Sequence, residues 1–332
     1  MPTELTEQVA YWFFRLNGCF TFVNFVVHPD GGGSQRTDAD LIAVRFPHRQ
    51  ELLTGGNSMQ DHPLLAAKGI IQVFFVEVKT ADCRLNGPWT DSQKANLHRV
   101  LHAIGVLPTS EVDNAATELY ASCKHDTPTM AIRFVAIGSQ QSQLPPAQQN
   151  VTQLTWDQVL LFIYERMTLY CREKADHPQW DDVGKLLYQT AVERLPHQSD
   201  IFVYRWFGKM NLPPPVHEAI YEELKRVARA QTITRYAQIS PLAQLNMSRA
   251  DHRASMSEIL DKISSYEYAQ GRPMLSGVVV HSDGEGGGSL PGTGFFTLAK
   301  RLGLQDNLDN VTFFSRELAR IHEAWHRGSG RR

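Results

Sequence analysis

The sequence predicts an α/β fold, with a mixed sheet flanked by helices in the first half and a mainly helical second half. Three observations predict it. Residues 70–80 read Ile-Ile-Gln-Val-Phe-Phe-Val-Glu-Val-Lys-Thr, the strongest strand signal in the chain. Strand-like and helix-like segments alternate as far as residue 171, the pattern of a sheet covered by helices. Beyond residue 176 helical periodicity dominates.

The elements follow in order. Residues 5–16 are apolar and aromatic with helical character, and Asn17-Gly18 ends them. Residues 19–27 (CFTFVNFVV) read as a strand, residues 28–36 (HPDGGGSQR) as a loop, and residues 40–46 (DLIAVRF) as a second strand. A polar stretch holding Gly55-Gly56-Asn57 leads to the third strand at 70–80. Asn86-Gly87-Pro88 is a turn. Thr90 or Asp91 caps a helix running to Ile104, with Gly105 as its stop. Residues 118–123 and 130–138 read as two more strands, and 155–171 as a long helix with Thr155 as its N-cap. His177-Pro178 then opens a less regular stretch. The expected division is residues 1–175 as one domain and 176–332 as a mainly helical second domain that selects substrate or partner. In that second part, helices are expected near 183–194, 216–230 and 252–269, with Pro213-Pro214-Pro215 as punctuation. Residues 274–280 (MLSGVVV) read as a strand. The Gly-rich stretch 282–294 leads to a helix at 295–302, and a last helix covers 315–326.

Composition narrows the function classes. A chain of 332 residues favours two domains. Its 42% hydrophobic and 20% charged residues are ordinary for a soluble globular protein. The net charge of -2 argues against a protein that coats nucleic acid non-specifically, so any DNA-binding surface must be local. Four dispersed cysteines without a C-x-x-C pair argue against a disulfide framework and a structural zinc site. The polar, acidic start lacks the basic segment of a signal peptide. No apolar run approaches the roughly 18 residues that span a bilayer. The expectation is a cytoplasmic protein with no membrane association.

The chemistry is concentrated in the third strand. Side chains alternate along a strand, so Phe75, Glu77 and Lys79 share one face and Phe74, Val76 and Val78 the other. An acid and a base therefore emerge side by side from a very apolar strand. Buried charges need partners, and a metal ion is a natural one. Asp40 lies one strand and one loop earlier. Two carboxylates from neighbouring strands can grip a hard divalent cation such as Mg2+ or Mn2+, with the carbonyl of Val78 as a further ligand. Such a cation acidifies water and offsets charge on phosphate, while Lys79 would stabilise developing negative charge. Acid-x-Lys in a strand is by itself common and usually marks an exposed face or a simple ion pair. Its agreement with Asp40, the strand order and the following helix is what points to a site.

The segments Asp38-Ala39-Asp40-Leu41-Ile42-Ala43 and Val73 to Thr80 resemble the PD-(D/E)xK, restriction-endonuclease-like nucleases, especially proteins similar to Holliday-junction resolvases. The resemblance covers about residues 1–172, and only its strand motifs are specific. It implies a restriction-endonuclease-like fold and a Mg-dependent DNA endonuclease, in restriction, phage defence or DNA repair. By that match Asp40, Glu77 and Lys79 are catalytic, with Asp40, Glu77 and Val78 around the metal. Asp38 is a candidate auxiliary. The family often carries a first-helix Glu that meets the metal through water, and Glu7 is the candidate, with Glu4 behind it. It also often carries a Gln on the helix after the third strand, which makes Gln93, beside Lys94, a further catalytic candidate. Many such nucleases cut duplexes as dimers, so a homodimer is implied. The chain departs from the family between Asp40 and Glu77, where the connection is longer. That stretch, with Phe46-Pro47-His48-Arg49 and Gln60-Asp61-His62, is either a substrate loop or a plain insertion.

Other readings stay open. A DNA-binding or interaction module that keeps the fold without catalysis is the main alternative. His322-Glu323-Ala324-Trp325-His326 matches the zincin pattern H-E-x-x-H but lacks a downstream third ligand. The stretch 282–294 lacks G-K-[S/T] and reads more readily as a turn than as a nucleotide loop. Lys225, Arg226, Arg229, Arg235, Arg249 and Arg253, around Thr234-Arg235-Tyr236, fit a helix-turn-helix reader or, more commonly, a solvated helix face. A protein partner through the second domain fits either reading.

Overall fold

The computed structural model describes residues 4–29, 31–49, 51, 59–65, 69–175, 180–281, 290–305 and 307–327. Gly55-Gly56-Asn57, His177-Pro178 and residues 282–289 of the Gly-rich stretch lie outside them. The chain forms two compact units. The first comprises residues 1–199 with 210–213, and the second 200–209 with 214–332.

The first unit is α/β. Helix α1 (Leu5–Leu16) buries Val9, Trp12, Phe13, Phe14 and Leu16. Gly18 follows at φ 74, the left-handed turn expected after a helix end. Strands β1 (Phe20–Val27) and β2 (Thr37–Arg45) pair antiparallel, and β2 pairs antiparallel with β3 (Ile71–Val78). Helices α2 (Asn96–Ile104) and α3 (Thr109–Ser122) precede β4 (Lys124–Asp126) and β5 (Met130–Gly138). Strand β5 runs parallel to β3 on one side. On its other side β4 pairs antiparallel with it and β6 (Thr152–Thr155) parallel. The result is a mixed six-stranded sheet with the order β1-β2-β3-β5-β4 and β6 on β5.

Helices cover both faces. On one, Phe75 stacks on Trp89 at 6.2 Å and meets Phe134 at 5.5 Å, inside a core that includes Leu97, Val100, Leu101, Val112 and Leu119 from α2 and α3. On the other, Phe14 of α1 meets Phe74 at 6.0 Å. There α4 (Trp156–Leu169) packs beside α1 through Phe13 and Phe162, 5.2 Å apart. Thr155 and Gln158 form a capping box at the start of α4. Helix α5 (Asp182–Tyr188) reaches α1 at close range. A Cβ on Gly184 would sit 2.1 Å from Cζ2 of Trp12, so only glycine fits there. Asp181 fixes the contact, accepting from Trp12 Nε1 at 2.8 Å and from Gly184 N at 2.7 Å. The expected boundary lies at 175, whereas residues 180–199 belong with the first unit.

Three local readings are corrected. Residues 118–123 are not a strand but the end of α3, whose apolar stripe is Val112, Ala115, Ala116 and Leu119. That spacing of three and four is helical, and Cys123 closes the helix at φ 56. The helix expected from residue 90 is broken. Ser92–Lys94 is a 3-10 turn, and Ala95 at φ 50 separates it from α2. Strand β2 starts at Thr37, so Asp40 lies inside it rather than at its start.

The second unit is mainly helical: α6 (Ser199–Lys209), α7 (Glu218–Arg229), α8 (Tyr236–Ile239), α9 (Ala250–Ala269), α10 (Thr293–Arg301) and α11 (Asn310–Arg327). Trp206, Ile220, Leu224, Ile263, Val279 and Ile321 are buried in it. Only the end of the expected strand 274–280 pairs. Leu275–Val278 is a 3-10 turn, and β8 (Val279–Val280) runs parallel to β7 (Thr234–Arg235). Glu267 is fully buried and satisfied by the hydroxyl of Tyr221 at 2.6 Å and by Arg272. Among the described residues, no helix is long and apolar enough to cross a membrane.

Candidate active site

The antiparallel ladder between β2 and β3 ends at Leu41–Val76. One step further, Asp40 faces Glu77, on the face that carries Phe75 and Trp89. No backbone carbonyl of β2 takes the N–H of Val78; Asp40 Oδ2 accepts it at 2.7 Å. In a strand the carbonyl of a residue points to the same side as its N–H, so the Val78 carbonyl faces the β2 edge, the edge from which Asp40 comes. Lys79 is fixed at its backbone, where its N–H reaches Ile137 O at 2.8 Å and its carbonyl accepts Trp156 Nε1 at 2.8 Å. Its Nζ pairs with Glu77. The structure thus brings Asp40, Glu77, Val78 and Lys79 to one point at the C-terminal end of β3.

Electrostatics marks the point as short of positive charge. Glu77 is 2% exposed. Burial raises its pKa to about 7, and Asp40 pushes the same way. Lys79 and hydrogen bonds from Lys79 and Trp89 pull back only in part. Asp40 is also raised, first by burial. The Val78 N–H and Lys79 oppose this, while Asp38 and Glu4 add to it. Four carboxylates therefore act around one ammonium. The oxygens of Asp40, Glu77 and Val78 form a hard donor set, which suits Mg2+ or Mn2+ far better than a soft metal. Two carboxylates are what such a cation ordinarily takes from protein before phosphate and water complete its shell. The residues present fit the cation.

The other expected residues are placed as follows. Glu7 lies half-buried on the first turn of α1, a helix that packs on the Phe74 face, opposite the face of Glu77. Glu4, the N-cap residue of α1, contributes negative charge at Asp40. Gln93 is not on the helix after β3. It is exposed on the preceding 3-10 turn, where its backbone N–H caps onto Asp91 at 3.1 Å.

Two residues that the sequence reading passed over belong here. Trp89 donates to Glu77 and is itself 2% exposed. The Pro88-Trp89 pair in an otherwise polar loop was the available signal. Asn24 lies opposite Asp40, between the pairs Val23–Leu41 and Phe25–Ala39, and adopts φ 51. A left-handed residue inside a strand interrupts the ladder, and Asn tolerates that conformation better than most residues. Arg36 ties the β1–β2 connection to the start of α2, donating to Asn96 Oδ1 at 3.1 Å and Lys94 O at 2.7 Å. Lys94 and Arg84 are also exposed.

The long connection before β3 is anchored by charge. Asp61 is paired with Arg45, with Arg49 at 3.0 Å and with Arg166 at 3.5 Å. Arg45 and Arg166 are 4% and 3% exposed.

The zincin pattern does not assemble. His322 Nε2 lies 3.2 Å from the carbonyl of Thr232. Among the described residues, no group of three or more His, Cys, Asp and Glu is placed to hold a metal ion. The helix-turn-helix reading meets a strand at Thr234–Arg235. Lys225, Arg226 and Arg249 pair with Glu222, Glu223 and Asp251 on their own helices or next to them.

Compared with protein-family models, curated proteins and solved structures, the chain matches none.

Proposed function

We propose that the first unit is a Mg2+- or Mn2+-dependent phosphodiesterase that cuts DNA, in the manner of the PD-(D/E)xK nucleases. The observation that carries this reading is the meeting of Asp40 and Glu77 at the end of the β2–β3 ladder, with Lys79 alongside. The half-buried Asp40 adds to the burial that raises the pKa of Glu77, a cost that a divalent cation removes. Asp40, Glu77 and the Val78 carbonyl would hold that cation. The cation would supply Lewis acidity toward a phosphodiester and a more acidic water.

The chain's own groups do the rest. The Val78 N–H fixes one oxygen of Asp40 and leaves the other for the cation. Trp89 orients the Glu77 carboxylate. Lys79 Nζ stands beside the site and stabilises negative charge as it develops on phosphate. Arg36, Lys94 and Arg84, exposed on the same unit, suit a polyanionic strand.

The test is cleavage of supercoiled and linear DNA with Mg2+, with EDTA, and by Lys79→Ala. Cleavage that needs Mg2+ and is lost in Lys79→Ala supports the reading. A wild-type protein silent on duplex, branched and single-stranded DNA with either metal overturns it in favour of a binding module.

A further inference from the structure

The second unit contains a cavity of about 380 Å3 that the reading above does not use. Its size falls within the range of small-molecule sites, roughly 300–1,000 Å3. Apolar walls come from Met247, Leu260 and Phe295, the last two buried. Arg235 and Arg253 bring two cations. Ser257 and Asp261 on α9 bring polar atoms, and Asp261 is half-buried.

The geometry is that of a built pocket. Tyr236 and His281 stack with centroids 4.8 Å apart and planes at 25°. The Tyr236 hydroxyl accepts from Gly292 N at 3.1 Å, which pins the start of α10 against the stacked pair. Side chains are excluded there. A Cβ on Gly292 would lie 2.8 Å from the Tyr236 hydroxyl, and one on Gly294 2.9 Å from Ser257 Oγ. Arg253 is held by Nη1, which donates to Met247 O at 3.0 Å and Ser248 O at 2.8 Å. Among the described residues Asp261 accepts no hydrogen bond, and burial raises its pKa against the pull of Arg301. The Asp261 carboxylate faces the cavity lining with its oxygens open to an N–H from a ligand.

The lining selects a ligand class. An inorganic anion would meet the two arginines but leave the apolar walls unused. A purely apolar ligand would strand the arginines and Asp261. A nucleotide meets all three, with phosphate for the guanidiniums, a flat base for the aromatic and aliphatic walls, and a base N–H for the carboxylate.

We propose that this cavity binds a nucleoside monophosphate unit, with its phosphate at Arg253 and Arg235 and its base edge at Asp261. The unit is either a free nucleotide or one nucleotide of a DNA strand, at its end or turned out of the stack. The site does not depend on cleavage in the first unit.

Calorimetry on the full chain in EDTA tests it with the four deoxynucleoside monophosphates, their nucleosides, inorganic phosphate and a 5′-phosphorylated single-stranded trinucleotide. At least one monophosphate is expected to bind at least ~10-fold tighter than its nucleoside and than inorganic phosphate. Arg253→Gln, at an exposed position, should weaken that monophosphate by ~10-fold or more. It should leave nucleoside binding and the melting temperature unchanged. A trinucleotide that binds tighter than the monophosphate and displaces it identifies a strand as the source; the reverse order identifies a free nucleotide. Three results would overturn the proposal: no binding by any of the four at millimolar concentration, inorganic phosphate as tight as the best nucleotide, or full affinity retained in Arg253→Gln. Because EDTA removes divalent cations, failure of the nuclease reading leaves these outcomes unchanged.

Discussion

Asp40 reaches across from β2 and accepts the backbone N–H of Val78 at 2.7 Å. That bond ends the ladder and starts the site. A backbone carbonyl in the same place would have continued the sheet and left no room between the strands. The carboxylate satisfies the N–H and keeps an oxygen in reserve. Asn24, opposite Asp40 on the outer strand, leaves the regular strand conformation at the same level. Regular pairing therefore lapses on both sides of Asp40, without a change of register between β1 and β2.

Asp40→Asn separates charge from shape. The amide oxygen can still accept the Val78 N–H, so the strands should stay in register. The negative charge that raises Glu77 disappears, and the Glu77 pKa should fall. Melting in EDTA should not drop. Metal-dependent cleavage should fall at least ~100-fold, the scale of removing one essential electrostatic group. Retained cleavage would exclude Asp40 from the centre.

Stability should depend on pH through Glu77. Its folded pKa of about 7 stands above the ordinary 4.5, so the folded state binds the proton more tightly than the unfolded state. Stability is then greatest below pH 4.5, declines as pH rises toward 7, and levels off above it. A rise of that size amounts to about 3 kcal/mol as an upper bound. His62 works the other way in the same window, because burial lowers its pKa and its contribution grows as pH rises. The readout is therefore the difference between wild type and Glu77→Gln in urea unfolding at pH 5 and pH 8 in EDTA. Wild type should lose stability relative to the variant on going to pH 8. Added Mg2+ should restore more at pH 8 than at pH 5, where a proton occupies Glu77.

Much of this arrangement was legible in sequence, for a physical reason. Strand β3 and helix α1 declare themselves because burial on a sheet or helix leaves a periodic apolar pattern, and Glu77 and Lys79 stand out against it. The alternation rule alone put both on the face of Phe75. The misread places lack such a pattern or disguise it. Glu118 to Cys123 contains Leu119 and Tyr120 in a short apolar run that resembles a strand, while the helical stripe through Val112 and Ala115 starts well before it. Ala95 at φ 50 has no signature, since nothing in an alanine foretells a left-handed backbone, and so Gln93 was assigned to a helix it does not join. Trp89 reads as an ordinary core residue until its indole is seen at Glu77. The Asp40–Val78 bond joins residues 38 positions apart, and local sequence carries no record of it.

Lys79→Ala separates binding from chemistry. Lys79 neutralises part of the negative charge at Glu77 and so competes with a cation for that carboxylate. Without it, the affinity for Mn2+, followed by its paramagnetic resonance, should be equal or tighter. DNA cleavage should nevertheless fall by ~100-fold or more. Weaker Mn2+ binding in the variant would instead make Lys79 a structural prop for the acidic pair.

Asp61 tests whether the long connection before β3 is an anchored insertion or a substrate loop. Arg166 loses hydration on burial, which lowers its pKa, and Asp61 is the largest influence opposing that loss. Asp61→Asn would leave Arg45 and Arg166 buried without their counter-charge. Breaking a buried pair by removing one partner costs about 3–5 kcal/mol, which in a unit of this size lowers the melting temperature by roughly 10 °C. Glu51→Gln is the control. Glu51 pairs with Arg49 and Lys174 and is 31% exposed, so its loss should cost about 1 kcal/mol or less. An anchored insertion predicts that Asp61→Asn melts early yet cuts DNA at the wild-type rate well below its melting temperature. A substrate loop predicts a weakened KM at unchanged stability, and differential scanning fluorimetry beside steady-state cleavage tells the two apart.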